Sequence, residues 1–220
     1  MNDIFSGVAG SRFFSPMERE ALAESVAGTA PSALGTEARY LFYKLYETGI
    51  MPAGDAVAPL TLPGIHGREH LAQVGRFALD ISLFHDVNPI PALLAAAMHD
   101  RARVHNEYDE EHGPAAVPLA RLLLESEPWR AWTTPREREE IYEAIRNHTV
   151  GRGAADPVSG ALWDGDRIRL SWKWGYSPEY YSTKRGMELG QLPPPAQEEF
   201  EESWAPLADR LRREIAESQG

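Results

Sequence analysis

An apolar run in the middle of the chain leads directly into an adjacent histidine and aspartate, His99 and Asp100. The run covers residues 91–98 and reads PALLAAAM, which predicts a tightly packed, buried helix. A buried imidazole and carboxylate each need a hydrogen-bond partner or a metal ion. Neutral imidazole and ionised carboxylate are both good ligands for divalent cations. We therefore predict that His99 and Asp100 form the centre of a metal site.

Other possible ligands lie on both sides of this pair. In chain order they are His66, His70, His112, His148, Asp164 and Asp166. The two remaining histidines, His85 and His105, are predicted to lie on the surface. The chain contains no cysteine, which excludes disulfides, thiolate ligands and a thiol nucleophile. A metal ion would have to be held by His, Asp and Glu side chains.

A helix is expected to position the first of these ligands. The apolar side chains of residues 71–84 recur at spacings of three and four, which indicates one buried face of a helix. His70 lies at the N-terminal edge of that face, one turn before Val74. His66 lies one further turn back if the helix extends that far.

A second helix is predicted after the central pair, within residues 111–124. Its inward-facing side chains are expected to be Leu119, Leu122 and Leu123. Pro118 implies either a kink or a later start, with the proline in the first turn.

The second half of the chain predicts two more helices near candidate ligands. One opens at Thr134 and Pro135 and runs to His148, and the other covers residues 164–168 despite Gly165. Residues 151–160 are expected to form a loop, and residues 171–193 to be irregular. Terminal helices are predicted from Ser15 to near Gly28, from Thr36, and after Pro195. Because strand-like alternation and repeats are lacking, the fold is predicted to be all-α.

Composition limits the possible partners. The formal net charge of -11 argues against a nucleic-acid polymer, whose backbone requires clustered Lys and Arg. The first residues lack the features of a secretory signal, and no run approaches the ~18 apolar residues of a membrane span. We expect a cytoplasmic protein that does not bind membranes.

Four candidates, His70, His99, Asp100 and Asp166, follow one another in the order H…HD…D. This order resembles the HD superfamily of metal-dependent phosphohydrolases, and the local segments REHLAQVGRFA, AAAMHD and LWDGDRIRL are similar to its motifs. The resemblance extends to uncharacterised bacterial HD-domain proteins with HGxxH, HDxxR, HT and ST segments, and it covers about residues 60–185. The chain departs from the pattern at Gly165 and Arg169, where the superfamily has a small alanine and an aspartate.

The resemblance implies one HD-type helical bundle over residues 1–220, with helical extensions at 1–59 and 186–220 packed on the core. It implies a divalent ion, Mn, Mg, Fe, Co, Ni or Zn, with His70, His99, Asp100 and Asp166 as its ligands. Asp166 is preferred to Asp164 because superfamily members ligate through the Asp directly before the Arg. Asp164 would then orient a ligand from outside.

The implied reaction is hydrolysis of a phosphate ester in a nucleotide or another small phosphorylated metabolite. A metal-bound water would be the nucleophile, oriented by Asp100 or Asp166. Arg103, His66 and His112 are the candidates for stabilising the phosphate and protonating the leaving oxygen. His66 is expected to be a pocket residue rather than a ligand.

Other interpretations remain open. His112 and His148 could complete a second metal site, contact phosphate, or cap a helix. With both, the set also resembles di-iron oxygenases built on the same fold, although the short gap between Asp100 and His112 is expected to put His112 on a different face. A non-catalytic regulatory domain stabilised by its metal is the third hypothesis. The exposed aromatic residues of 171–181 are expected to form a pocket wall, with a homodimer contact as the alternative; they are Trp172, Trp174, Tyr176, Tyr180 and Tyr181.

Overall fold

The computed structural model describes residues 66–126, 129–175 and 177–193. Within these ranges the chain forms seven α-helices and a short 3-10 helix, and none of the described residues is in a strand. The prediction of an all-α fold is confirmed for this part of the chain. The terminal helices predicted from Ser15, from Thr36 and after Pro195 lie outside the described residues.

The helices are short to medium in length and are joined by loops that carry several of the candidate ligands. They are α1 Arg68–Phe84, α2 Pro89–Met98, α3 His112–Leu124, α4 Trp129–Trp132, α5 Pro135–Asn147, α6 Pro157–Trp174 and α7 Lys184–Gly190, with the 3-10 helix Pro178–Tyr180 between the last two. No helix among those described is long and apolar enough to cross a membrane.

Helix α2 lies at the centre of the bundle. Every residue of α2 except Ile90 is buried, as expected for a helix that is apolar on all sides. It packs against α1, α5 and α6. The predicted buried helix before His99 and Asp100 is therefore confirmed, and its C-terminal end delivers both residues to the interior.

Two apolar clusters hold the bundle together on either side of this helix. The larger joins α2 to α3 and α5 and includes the buried Trp129 and Tyr142. The smaller joins α1 to α6 and α7 through Phe77, Ile168 and Leu189. The parts of α1, α2 and α6 that carry candidate ligands, and the end of α5 that precedes His148, are thus fixed by packing.

Helix α3 differs from its predicted form in two respects. It begins at His112, so Pro118 lies in its interior and the later start is wrong. Leu123 is buried, but Leu122 is 70% exposed. The buried face of α3 follows Ala116, Ala120 and Leu123, at spacings of four and three, which turns Leu122 toward solvent.

The two segments predicted to be irregular contain helical residues. Helix α6 begins at Pro157 because Asp156 caps it, accepting a hydrogen bond from the Ser159 N–H at 2.8 Å. The predicted loop therefore ends four residues early. Helix α6 also continues to Trp174, and Thr183 caps α7 through the Gly186 N–H.

Candidate metal centre

Five of the seven histidines and two aspartates meet at one buried place, which we call the histidine–aspartate cluster. Its members are His66 before α1, His70 in the first turn of α1, His99 and Asp100 at the end of α2, His112 at the start of α3, His148 after α5, and Asp166 within α6. All of them are buried, and Asp166 is the most exposed at 9%. The structure therefore assembles all four predicted ligands.

One oxygen of Asp100 faces candidate ligands from the start of α1, from the residues just before it, and from the end of α2. Its Oδ2 lies 3.0 Å from Nδ1 of His66 and 3.5 Å from Nε2 of both His70 and His99. Asp166 completes this side, with its Oδ1 3.2 Å from Nε2 of His70 and 4.0 Å from Nε2 of His99. These atoms converge as the ligands of one ion would.

The other oxygen of Asp100 faces a separate pair of histidines. Its Oδ1 lies 3.0 Å from Nε2 of His112 and 3.6 Å from Nε2 of His148. The guanidinium of Arg103 donates from Nε to the same oxygen at 3.2 Å. The expectation that His112 lies on a different face is therefore wrong. The loop between Asp100 and α3 turns back on itself and returns His112 to the carboxylate.

Main-chain carbonyl groups set the orientation of three rings. The Nδ1–H groups donate to carbonyl oxygens of the preceding turn, from His99 to Ala96 at 2.9 Å, from His112 to Asp109 at 2.6 Å and from His148 to Ile145 at 2.8 Å. A carbonyl oxygen can only accept, so Nδ1 carries the proton in each ring. In the neutral rings, the Nε2 lone pairs are directed into the cluster, as in histidine ligands of metals.

The contact between His112 and His148 requires a cation. Their Nε2 atoms are 2.7 Å apart, and two neutral lone pairs at this distance repel each other. A proton or a metal ion relieves the repulsion. Consistent with this, the pKa of His148 is raised: burial alone would lower it, but the hydrogen bond to Asp100 and the charge of that carboxylate outweigh burial.

The remaining charges suit metal ligands. Burial lowers the pKa of His99 to about 3, so this ring stays neutral. Burial acts to raise the pKa values of Asp100 and Asp166, but nearby histidines hold both well below the ordinary range. For Asp166, His70 is the largest of these opposing influences. Both aspartates are ionised across the neutral range.

Three overlapping groups of these side chains have ligand atoms within 4.8 Å of one another and could hold a metal ion. They are His66, His70 and Asp100; His70, His99 and Asp166; and His99, Asp100 and His148. His148 thus joins the four predicted ligands. His66, predicted as a pocket residue, belongs to one group and also lines the pocket.

Two glycines allow the helices to approach closely enough to form the cluster. A Cβ on Gly113 would lie 2.8 Å from the carbonyl oxygen of Ile145, so the first turn of α3 packs on the backbone of α5. A Cβ on Gly165 would lie 3.0 Å from the carbonyl oxygen of Val74, where α6 packs on α1. The first approach brings His112 to His148. The second places α6, which carries Asp166, close against the backbone of α1.

Asp164 has a different role from the predicted one. Its Oδ1 accepts from the Ser182 N–H at 2.7 Å, and its Oδ2 accepts from the N–H and hydroxyl of Thr183 at 2.8 and 2.7 Å. Burial raises its pKa to about 6. Asp164 therefore fastens the segment before α7 to α6, rather than orienting a metal ligand.

A pocket of about 400 Å³ opens from the cluster. It is lined by His66, Asp100, His148 and Asp166 from the cluster, by Arg103, Arg152 and Arg167, and by Tyr108 and Tyr180. Of the aromatic residues expected in the wall, Tyr180 lines the pocket. Tyr181 is buried in the core instead. The side chains of Trp172, Trp174 and Tyr176 lie outside the described part of the structure.

Arg103 supports the cluster from the side of the loop. In addition to Asp100, it donates from Nη1 to the carbonyl oxygen of Glu107 at 2.8 Å, and its Nη2 lies 3.2 Å from Nε2 of His112. This guanidinium positions Asp100 and braces the loop. Its predicted contact with phosphate stays a prediction. His105 is exposed as expected, and His85 is half-buried.

Two pocket arginines were missed in the sequence. Arg152 lies between two glycines, three residues after Thr149, and Arg167 directly follows Asp166. The Gly-Arg-Gly triplet close behind His148 was the available signal. In the sequence, Arg167 favours Asp166 over Asp164 as the ligand, but its position does not indicate that its side chain lines a pocket.

Comparison with known proteins identifies no relative of this chain. The chain matches no protein-family model, no curated protein and no solved structure at a significant level. The resemblance to the HD superfamily stays a prediction from the motifs. Function is therefore inferred from the geometry of the site.

Proposed function

We propose that the protein is a metal-dependent hydrolase of small phosphate esters, of which nucleotides are one class. The observation that carries the proposal is the position of Asp100. Its two oxygens face five imidazoles in a buried cluster, and the cluster opens into a pocket lined by three arginines. This combines ligands for a cation with groups that attract a phosphate.

The ligand set fits a divalent transition ion. Imidazole nitrogens suit Mn, Fe, Co, Ni and Zn, whereas Mg prefers oxygen ligands and water. Such an ion, held by His70, His99, Asp100 and Asp166, would supply a hydroxide at neutral pH and neutralise charge on a phosphoryl oxygen.

The chain's own groups would position the substrate and move protons. Asp100 accepts from Nδ1 of His66 and thereby fixes this ring at the pocket wall. We assign His66 as the general acid that protonates the leaving oxygen through its other nitrogen. Arg103 holds Asp100 in place through its Nε–H. The buried walls exclude water from the other sides of the ligands.

A second candidate is an oxygen-activating enzyme with two irons. It is favoured by the separation of His112 and His148 from the other ligands, on the second oxygen of Asp100. A carboxylate placed in this way can bridge two ions. We rank hydrolysis first because the three arginines of the pocket suit an anionic substrate. The non-catalytic regulatory domain is the remaining hypothesis, since none of these contacts requires turnover.

The test is hydrolysis of a panel of phosphate monoesters and diesters, including nucleotides, by protein loaded with Mn or Co. We expect release of phosphate from at least one ester, its loss on chelation, and its loss in Asp100→Asn. Glu143→Gln, on the exposed surface of α5, is the matched carboxylate control and should keep full activity. A protein that hydrolyses no ester with Mn or Co, but consumes oxygen when it is loaded with iron, would favour the di-iron enzyme over the hydrolase.

A further inference from the structure

One wall of the pocket is formed by two side chains that do not belong to the cluster, Arg152 and Tyr180. The guanidinium carbon of Arg152 lies 4.3 Å from the centre of the Tyr180 ring. Its Nη2 also donates to the tyrosine hydroxyl at 3.1 Å. Stacking and hydrogen bond together fix the position of an otherwise exposed arginine.

A buried arginine on α6 holds this stack against the cluster. Arg167 donates from Nη1 to the carbonyl oxygen of Tyr180 at 2.8 Å and from Nη2 to the carbonyl oxygen of Gly151. It directly follows Asp166. The segments that carry Arg152 and Tyr180 are therefore tied to the helix that supplies a predicted metal ligand. The distance between Arg152 and the cluster is thus set by the fold.

Arg152 is also the pocket arginine with the most unused donors. Arg103 donates to Asp100 and to main-chain carbonyl groups, and Arg167 donates to two carbonyl groups. Among the described residues, Arg152 donates only to Tyr180, and none of their carboxylates pairs with it. A guanidinium has five N–H groups. In a protein of net charge -11, this fixed positive charge at a pocket wall is a local attraction for anions.

We propose that Arg152 determines specificity by binding a second anionic group of the substrate. The proposal rests on the proposed function, which places the first phosphate at the cluster. The substrate is then a small phosphate ester that carries a further phosphate or carboxylate. A pocket of about 400 Å³ is large enough for such a molecule. Arg152 is a binding residue here, and the bond that breaks lies at the cluster.

The experiment uses α,ω-alkylenediphosphonates of increasing length as rulers, with the matching alkylphosphonates as single-anion controls. Binding to the Mn-loaded protein is measured by calorimetry, so that no turnover is needed. We expect one chain length to bind about tenfold more tightly than its monophosphonate, as a charge-assisted arginine contact provides. A parallel series of phosphonocarboxylates distinguishes a carboxylate from a phosphate as the second group.

Variants assign the gain to Arg152. Arg152→Gln should remove the tenfold preference for the diphosphonate over its monophosphonate. Tyr180→Leu should reduce this preference, because the guanidinium of Arg152 is no longer held. Arg136→Gln, an exposed arginine of α5 outside the pocket, is the control and should keep it. Thermal unfolding verifies that each variant is folded.

The outcomes separate the two proposals. A wild-type protein with no preference for any diphosphonate, or a preference that survives Arg152→Gln, overturns the role of Arg152. Monophosphonate binding that does not depend on the metal contradicts the proposed function, which puts the first phosphate at the cluster. If neither the diphosphonates nor the monophosphonates bind, both proposals are overturned.

Discussion

Replacing Gly113 with alanine tests whether the close approach of α3 to α5 assembles the cluster. The new Cβ would lie 2.8 Å from the carbonyl oxygen of Ile145 and 2.9 Å from that of Arg146. Both obstacles are backbone atoms, which cannot rotate away as a side chain can. Ordinary contact begins near 3.4 Å, so the first turn of α3 must move by about 0.6 Å.

Two opposing contributions set the expected magnitude. Overpacking in a tightly packed interior costs about 1–3 kcal/mol, whereas alanine has a helix propensity about 1 kcal/mol better than that of glycine. We therefore expect Gly113→Ala to lower the free energy of unfolding by about 0–2 kcal/mol. The same shift moves His112 away from His148, so the affinity for a metal ion on that side of Asp100 should fall.

The assay is urea denaturation together with metal titration of the same preparations. Ala115→Ser, on the exposed side of the same turn, is the control and should change neither quantity by a measurable amount. If Gly113→Ala instead stabilises the protein by about 1 kcal/mol, as in an open helix, α3 does not pack on α5 as described and the reasoning is refuted.

Two further predictions concern aspartates outside the cluster. Asp164→Asn places an amide N–H₂ against the donors of Ser182 and Thr183. The variant should lose about 1–3 kcal/mol of unfolding free energy. An unchanged midpoint of urea denaturation would contradict the role of Asp164 in fastening α7. Asp80 pairs with Arg185, but burial, with a smaller contribution from Glu188, raises its pKa above 3.8. A raised pKa means that the folded state binds the Asp80 proton more tightly than the unfolded state does. The stability gained from this proton is therefore fully present below pH 3.8 and is lost as the pH rises through the raised pKa. The unfolding free energy of the wild type, measured relative to Asp80→Asn, should therefore fall as the pH is raised above 3.8. A rise in this difference with pH would contradict the prediction.

The order and residue types of the candidate ligands could be predicted from the sequence. An apolar helix before His99 and Asp100 can only be buried, and the period of α1 puts His70 at the edge of a buried face. These are local properties. The four residues His70, His99, Asp100 and Asp166 therefore lie together as expected, although nothing in the sequence separates one ion from two.

The position of His112 depends on tertiary contacts that local patterns do not record. The loop after Asp100 is braced by Arg103 through main-chain carbonyl groups, and Gly113 permits the packing of α3 on α5. The residues that make these contacts are not related by the spacing of a helix or a strand, so hydrophobic periodicity does not predict them. The same holds for Asp164, whose partners Ser182 and Thr183 are 18 and 19 residues away.

The pocket wall was predicted as a set of aromatic residues, yet its distinctive feature is an arginine stacked on one of them. Aromatic composition predicts that a segment is packed but not which ring faces a cavity. Tyr180 and Tyr181 are neighbours, but one lines the pocket and the other is buried. The 3-10 helix ending at Tyr180 turns the two side chains in different directions.

Metal analysis of the purified protein tests the central claim most directly. The wild type is compared with Asp100→Ala, with His148→Ala, and with His105→Ala, an exposed histidine outside the cluster. The account predicts a divalent transition metal in the wild type, full retention in His105→Ala and complete loss in Asp100→Ala. If the wild type holds one ion and His148→Ala retains it, the protein has a single site. If the wild type holds two ions and His148→Ala loses one of them, the two ions form a bridged pair. A wild type without metal after incubation with Mn, Fe, Co, Ni or Zn, or undiminished metal in Asp100→Ala, would contradict the account.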